Sequence, residues 1–232
     1  MIATVINAAG IVLGGLLGLL LGKRFPQRIT ESLMNVFGLC TMTIGTMGAL
    51  QTGNIIHVLI CLIFGTVIGE LIRIEKRIYN LGGRLEARFA SGGRQGGFTT
   101  GFLTATLLYC VGSMAIMGTL EAGIRQDYTM LFTKTLMDSV TAIGLAATLG
   151  VGVLFSALPL FVYQGAITLA SSILAPLLST TVVTEMGAIG GVLLIGMGIN
   201  MLFDRKIRLS NMLPGIFLPM VYFLLLSALG VG

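Results

Sequence analysis

One apolar stretch near the start of the chain decides the class of fold. Residues 3–22 read ATVINAAGIVLGGLLGLLLG, and Lys23 and Arg24 follow directly. A helix needs about 20 consecutive apolar residues to cross the hydrocarbon core of a bilayer. The stretch is not a secretory signal peptide, because no charged segment precedes it and no small-residue cleavage site stands before the bases. We therefore interpret it as a membrane-spanning helix.

The composition of the whole chain favours the same class. Apolar residues make up 55% of the 232 residues and charged residues only 10%, whereas soluble domains carry about 25% charged residues. This composition excludes a disordered chain, and the 3 cysteines are too few for a disulfide scaffold. The net charge of +5 does not indicate nucleic-acid binding, since no aromatic residues alternate with the bases. We predict an all-α polytopic membrane protein.

Further apolar runs complete a predicted bundle of eight transmembrane helices, at least one of them broken, in a single membrane domain over residues 1–232. The first three helices occupy residues 1–72, a basic cytoplasmic loop occupies 73–97, and the other five occupy 98–232. Most Lys and Arg residues cluster in three loops, and such loops remain on the cytoplasmic side. Both termini then face outward. The predicted spans are 3–22, 33–50, 55–72, 98–120, 130–157, 159–178, 187–203 and 212–229.

Two segments depart from the pattern of a simple span. Residues 130–157 are too many for one straight helix across a bilayer, and we expect a break at Gly150-Val151-Gly152 and a tight turn at residues 157–159. In the loop 73–97, apolar residues recur at helical spacing opposite the bases. This pattern predicts an amphipathic helix on the anionic lipids of the inner leaflet, with a solvated charged loop as the alternative.

Internal similarity and glycine spacing indicate how the helices are arranged. The first two spans match the third and fourth, with Gly14 corresponding to Gly65, which indicates a duplicated helical hairpin. A shared glycine-rich composition is the alternative. Glycine at every fourth position lets helices approach closely. The stripe from Gly10 to Gly22 therefore predicts a packing face, either within the chain or between the subunits of a homodimer.

Strongly polar side chains inside a span are costly, so each needs a reason. Lys134 and Asp138 lie four residues apart, on one face of the fifth span, and can pair. Gln164 stands beside Gly165, where we expect the sixth helix to break and expose backbone groups to a substrate. The alternatives are a purely structural ion pair and ordinary interhelical hydrogen bonds. The predicted substrate- or ion-binding site comprises Asp138, Lys134, Gln164, Ser113 and Asn200.

Acidic residues in the predicted outer segments form a candidate vestibule, where they would concentrate cations. This vestibule comprises Glu121, Asp127 and Glu185. Ordinary helix-end charge is the alternative, since Glu185 precedes the predicted start of the seventh span. The single histidine, His57, has no second histidine for a metal site, and no Gly-x-Ser-x-Gly or nucleotide-binding motif is present. We expect no enzyme, no cofactor and no metal.

A series of motifs along the chain resembles a known family. The motifs are Gly112-Ser-Met-Ala-Ile-Met-Gly118, Lys134-x-x-x-Asp138, Phe155-Ser-Ala157, Tyr163-Gln-Gly165, Gly190-Gly191, Gly198-Ile-Asn200 and Asn211-x-x-Pro214. In this order they resemble the YdfK/YqgA-like family of bacterial inner-membrane proteins of unknown function. The resemblance implies a bacterial plasma-membrane location, and it assigns no substrate and no catalytic residue.

These patterns together lead to a prediction of function. We expect a membrane transporter of a small solute or ion with a polar site inside the membrane. The alternative is a structural or sensory membrane protein without a transported substrate, or a passive channel. The expected partners are the lipid bilayer, anionic lipids of the inner leaflet and a second copy of the chain, and no nucleic acid.

Overall fold

The computed structural model describes residues 1–22, 24, 26–78, 80, 97–110, 113–175, 178–203 and 207–228. Within these ranges the chain forms helices and no strand. The helices, in chain order, are α1 (Ile2–Gly22), α2 (Gln27–Ala49), α3 (Ile55–Ile72), α4 (Gly97–Cys110), α5 (Ser113–Ile124), α6 (Thr129–Leu149), α7 (Gly152–Phe155), α8 (Ala157–Leu169), α9 (Ser171–Leu174), α10 (Thr180–Leu202), α11 (Leu209–Met212), a 3₁₀ helix (Leu213–Phe217) and α12 (Leu218–Ala228).

The length and apolar character of these helices support the predicted membrane class. Four segments of the described chain are long and apolar enough to cross a bilayer, namely Ile2–Gly22, Ile55–Ile72, Gly152–Leu169 and Thr180–Leu202. The pair formed by α4 and α5, bent by 56°, raises the number to five if the two helices make one span. The part of the chain that the structure describes is therefore that of a helical membrane protein.

α1 packs along α6 through the glycine stripe. An ideal Cβ atom placed on Gly14 would collide with the carbonyl oxygen of Ser139, and one placed on Gly18 would collide with the carbonyl oxygen of Ile143. Only glycine therefore allows this close approach of the two backbones. The stripe is a packing face within the chain, so it is not free to form the predicted contact between subunits.

α2 and α10 form a second close pair, and α3 packs elsewhere. An ideal Cβ atom on Gly45 would lie 2.6 Å from the carbonyl oxygen of Gly191. On α3, the side of the helix at Gly69 faces Asn211, which lies in α11 just before the 3₁₀ helix. The bundle thus contains an α1–α6 pair and an α2–α10 pair, and a cavity lies between α6 and the second pair.

The chain reverses direction at Gly150, as the predicted break indicates. Gly150 ends α6 with a φ of 82°, a left-handed conformation that favours glycine. α7 and α8 then run back along α1, because Gly15 of α1 faces Leu154 and Met1 faces Gly165. The predicted turn at residues 157–159 is wrong, since α8 begins at Ala157 and a proline is tolerated in the first turn of a helix.

Two other local predictions also differ from the structure. The expected break at Gly165 is wrong, because α8 continues to Leu169 and ordered helical geometry is interrupted only at Ala170. α10 begins at Thr180, so Glu185 lies inside this helix and does not precede it. Of the predicted amphipathic segment, residues 74–78 are helical, and residues 81–96 lie outside the described part of the chain.

Candidate functional site

Lys134 and Asp138 form an ion pair inside the bundle. The Nζ atom of Lys134 lies 2.8 Å from both carboxylate oxygens of Asp138, and the two residues are only 6% and 5% exposed. Asp138 lies near the middle of α6, about 13 Å along the axis from its first residue. An isolated charge at this depth costs several kcal/mol, so each of the two charged groups depends on the other.

α1 contributes a third polar side chain, Asn7, which the sequence analysis missed. Its Nδ2 atom donates to Asp138 Oδ2 at 3.2 Å and to Gln164 Oε1 at 3.3 Å. Asn7 and Gln164 are both completely buried. We call the four residues Asn7, Lys134, Asp138 and Gln164 the polar network. A signal for Asn7 existed, because it is a polar residue inside an apolar span, the same criterion that identified Gln164.

The packing of three helices brings the polar network together. Gly10 of α1 lies against Ser139 of α6, and Asn7 is one helical turn earlier on the same face, level with Asp138. The turn at Gly150 sends α8 back beside α1, which places Gln164 next to Asn7. The site therefore depends on the glycine contacts as well as on the polar residues themselves.

Three buried polar atoms of α1 and α8 have no hydrogen-bond partner among the described residues. They are Asn7 Oδ1, Gln164 Nε2 and Thr4 Oγ1. Buried polar groups in native proteins are nearly always paired with protein or with ordered water. The three unpaired atoms lie on the α1 and α8 side of the network. We infer that water or another small polar species completes their hydrogen bonding there.

A cavity of about 340 Å³ opens on the other side of the ion pair, between α2, α6 and α10. Lys134, Asp138 and Thr141 form its polar part on α6, and Gln51 lies at the end where α2 finishes. Further along α6, the ring of Phe37 occupies the space beside Gly144, so α2 and α6 meet there. The rest of the lining consists of Ile44, Met47, Gly48, Leu108, Met114, Met137, Gly187, Gly191 and Leu194.

The structure thus brings Lys134, Asp138 and Gln164 together, whereas it places Asn200 elsewhere. The side-chain amide of Asn200 donates to the carbonyl of Ile207 and accepts from its N–H, both at 2.9 Å. Asn200 therefore joins the end of α10 to the segment that precedes α11. The side chain of Ser113 lies outside the described part of the structure.

The three acids of the predicted vestibule have different environments. Glu185 is 3% exposed and accepts hydrogen bonds from the Thr52 hydroxyl at 2.6 Å and the Gly53 N–H at 2.8 Å. It holds the loop after α2 against α10 and does not face open solvent.

Glu121 and Asp127 remain near the protein surface. Glu121 lies 3.3 Å from the exposed Arg125 guanidinium. Asp127 accepts from the backbone N–H of Thr129 at 2.9 Å, and this bond is the main cause that lowers the pKa of its carboxyl. Glu121 and Asp127 therefore each have a local partner at the end of a helix, and neither shares a hydrogen-bond partner with Glu185 among the described residues.

Comparison with known proteins finds similar proteins in two bacteria. It is 29% identical over 235 residues to the uncharacterized membrane protein YdfK of Bacillus subtilis, covering 100% of this chain and 99% of that protein. It is 28% identical over 218 residues to the uncharacterized protein YqgA of Escherichia coli, covering 93% of each. No solved structure matches the chain. A family model described as a protein of unknown function, DUF554, matches residues 2–224, and the chain therefore belongs to the DUF554 family.

Proposed function

We propose that this protein is a membrane transporter of a small solute or ion, with its site at the polar network and the adjoining cavity. The observation that carries the proposal is that both members of a buried ion pair, Lys134 and Asp138, line a cavity. Its volume of about 340 Å³ is at the lower end of the range for ligand pockets, which suits a small solute.

The ion pair provides a mechanism for coupling binding to a change of conformation. Each charge is stabilised at membrane depth mainly by the other, so a solute ion or a proton that competes for one partner releases the second. Asn7 and Gln164 connect Asp138 to α1 and α8. A change at Asp138 therefore reaches three helices, which supports a site whose occupation rearranges the bundle.

The proposal includes an architecture with eight crossings in a bacterial plasma membrane and both termini outside. Besides the segments that are apolar enough alone, α2 and α6 have 23 and 21 residues, sufficient to cross a bilayer when packed against apolar neighbours. The last crossing comprises α11, the 3₁₀ helix and α12. Clusters of Lys and Arg then lie on the cytoplasmic side.

The experiment compares wild-type protein, Asp138→Asn and the double variant Lys134→Met with Asp138→Asn in proteoliposomes screened with ions and small metabolites. Asp138→Asn leaves Lys134 without its charged partner, which costs about 3–5 kcal/mol for a buried pair. The double variant removes both charges and is expected to recover the abundance of folded protein, as measured by fluorescence-detected size-exclusion chromatography.

The double variant distinguishes a role of the ion pair in transport from a purely structural role. Recovered abundance without solute flux supports a site at Lys134 and Asp138. Recovered abundance with wild-type flux means that the pair is a structural bridge and contradicts the proposal. A protein that moves no tested solute in any form favours the structural or sensory alternative.

A further inference from the structure

The hydrogen bonding of the ion pair indicates which kind of solute the cavity accepts. A lysine ammonium has three N–H donors, and among the described residues the Lys134 Nζ atom bonds only to the two carboxylate oxygens of Asp138. Lys134 also lines the cavity. One donor of the ammonium therefore remains for a ligand in the cavity.

The Asp138 carboxylate, in contrast, has less capacity left for a cation. Oδ1 accepts from Lys134, and Oδ2 accepts from both Lys134 and Asn7. No other acidic residue is among those that line the cavity. The cavity thus offers a free donor and a positive charge, with an acceptor that is already well bonded.

We infer that the cavity binds a small organic anion on the ammonium of Lys134, and that Asp138 takes up one proton when the anion binds. This inference rests on the proposed transport function and names its substrate class. An acidic oxygen of the anion accepts from Lys134 Nζ, which gives up its bonds to Asp138. The proton moves from bulk water to a carboxylate oxygen of Asp138.

Charge balance explains why the proton accompanies the anion. Before binding, the site holds one ammonium and one carboxylate; an added anion would leave two negative groups around one positive group in a medium of low dielectric. Protonation of Asp138 restores neutrality, and Asn7 remains beside the acid, where its amide oxygen, unpaired among the described residues, can accept the acid proton after the amide rotates. Anion and proton would therefore move together without net charge transfer.

The other groups near Asp138 do not supply this proton linkage. Lys134 is the other charged group on its own helix, and α4 contributes two titratable side chains that feel the charge of Asp138, the buried Tyr109 and the half-buried Cys110. α1 and α8 contribute the neutral amides of Asn7 and Gln164. α2 and α10 line the cavity with uncharged residues. Asp138 is thus the acid whose charge changes.

The apolar remainder of the cavity defines the rest of the ligand. Its lining is mainly aliphatic and methionine side chains from α2, α4, α6 and α10, and methionine adapts its shape to varied apolar groups. A solute with one anionic head and an apolar body fits this arrangement better than an inorganic ion.

Benzenesulfonate is a suitable probe, because it stays an anion between pH 5 and pH 8, and phenyltrimethylammonium is the matched cation. Titration calorimetry of the detergent-solubilised full chain is expected to show that benzenesulfonate binds more weakly as the pH rises, by up to about tenfold per pH unit. Measurements in buffers of different ionisation enthalpy should show uptake of about one proton per bound anion. Binding that is equal at pH 5 and pH 8, without proton uptake, would overturn the inference.

Two variants separate the roles of the two charges. Asp138→Asn imitates the protonated acid and should bind benzenesulfonate at every pH as tightly as the wild type does at pH 5. The double variant Lys134→Met with Asp138→Asn should not bind it. If Asp138→Asn is poorly folded, the pH dependence of binding and the proton uptake of the wild type still test the inference. Binding of phenyltrimethylammonium in place of benzenesulfonate would also contradict the inference.

Flux measurements distinguish this inference from the proposed function. If another class of solute crosses proteoliposomes in a manner that depends on Asp138, the transport proposal stands and the anion site is wrong. If benzenesulfonate binds with proton uptake but neither it nor any other tested solute crosses, the anion site stands and transport is wrong.

Discussion

Two buried carboxylates of this protein are stabilised in different ways. Asp138 has an ammonium partner, whereas Glu185 accepts only from the Thr52 hydroxyl and the Gly53 N–H among the described residues. Thr52 also accepts from the N–H of Asn54, so these contacts fix the path of the loop between α2 and α3. Glu185 thus holds this loop in place next to Gln51, which lines one end of the cavity.

The first prediction concerns Glu185. Glu185→Ala leaves the Thr52 and Gly53 donors without an acceptor and should lower the free energy of unfolding by about 1–3 kcal/mol. Glu185→Gln keeps an oxygen for the Gly53 N–H and an amide for the Thr52 oxygen, so its loss should be smaller. Thermal unfolding in detergent tests this order, and equal midpoints for the two variants would contradict it.

At the level of single residues, sequence reasoning identified the ion pair but not all its partners. The spacing of Lys134 and Asp138 along a helix is sufficient to predict that they meet. Asn7 and Asn200 are equally polar residues within spans, yet Asn7 contacts Asp138 and Asn200 contacts Ile207. Which polar residue joins the site depends on which helices pack together, and the pattern of one sequence does not contain this information.

Among the helices, glycine has two different environments that a pair of variants can separate. On Gly14, an added methyl group would meet the carbonyl of Ser139, whereas on Gly165 the nearest atom is the flexible Met1 side chain, 3.6 Å away. The close approach of α1 and α6 requires the first glycine, and the second has space beside it.

The second prediction follows from this contrast. Gly14→Ala forces α1 away from α6 and should lower the free energy of unfolding by about 1–3 kcal/mol. Gly165→Ala should be neutral or slightly stabilising, because alanine is the better helix former. The measurement is the unfolding midpoint of each variant in detergent. Unchanged stability of Gly14→Ala would mean that α1 and α6 are farther apart than the structure shows.

The third prediction concerns the contact between Phe37 of α2 and Gly144 of α6, which lies beyond the residues of these two helices that line the cavity. Phe37→Ala removes the ring and is expected to let protons pass without the solute, so proteoliposomes with a pH-sensitive dye should leak faster than those with the wild type. Phe64→Ala is the matched control, because Phe64 is 60% exposed on α3. Equal leak from both variants would show that Phe37 is not a barrier.

At the level of helices, the apolar runs of the sequence predict most of the helical segments, but they predict less well where a helix is interrupted. The break at Gly150 follows from the excess length of residues 130–157 and from glycine's tolerance of positive φ. The expected interruption at Gly165 is absent because glycine permits a helix break without requiring one, and the expected turn at residues 157–159 is absent as well. Pro159 stands in the first turn of α8, where a helix does not need its N–H.

For the molecule as a whole, the fourth prediction concerns orientation. Reporter fusions at Gly232 and Gly92 should show an outward C-terminus and a cytoplasmic loop, because Lys and Arg are retained on the cytoplasmic side. A periplasmic phosphatase reporter and a cytoplasmic fluorescent reporter at each position give opposite signals. A cytoplasmic C-terminus together with a cytoplasmic loop at Gly92 would mean an odd number of crossings and would place the miscount in residues 130–178.

Because the chain is synthesised from its N-terminus, we expect the pairing of α1 with α6 to affect how α6 enters the membrane. α6 carries Lys134 and Asp138 and is not among the described segments apolar enough to cross a membrane alone. Because the ribosome delivers α1 first, Asn7 and the glycine surface are already in place when α6 leaves the translocon. We therefore expect α1 to assist the insertion of α6, and a chain made without α1 to insert α6 less efficiently.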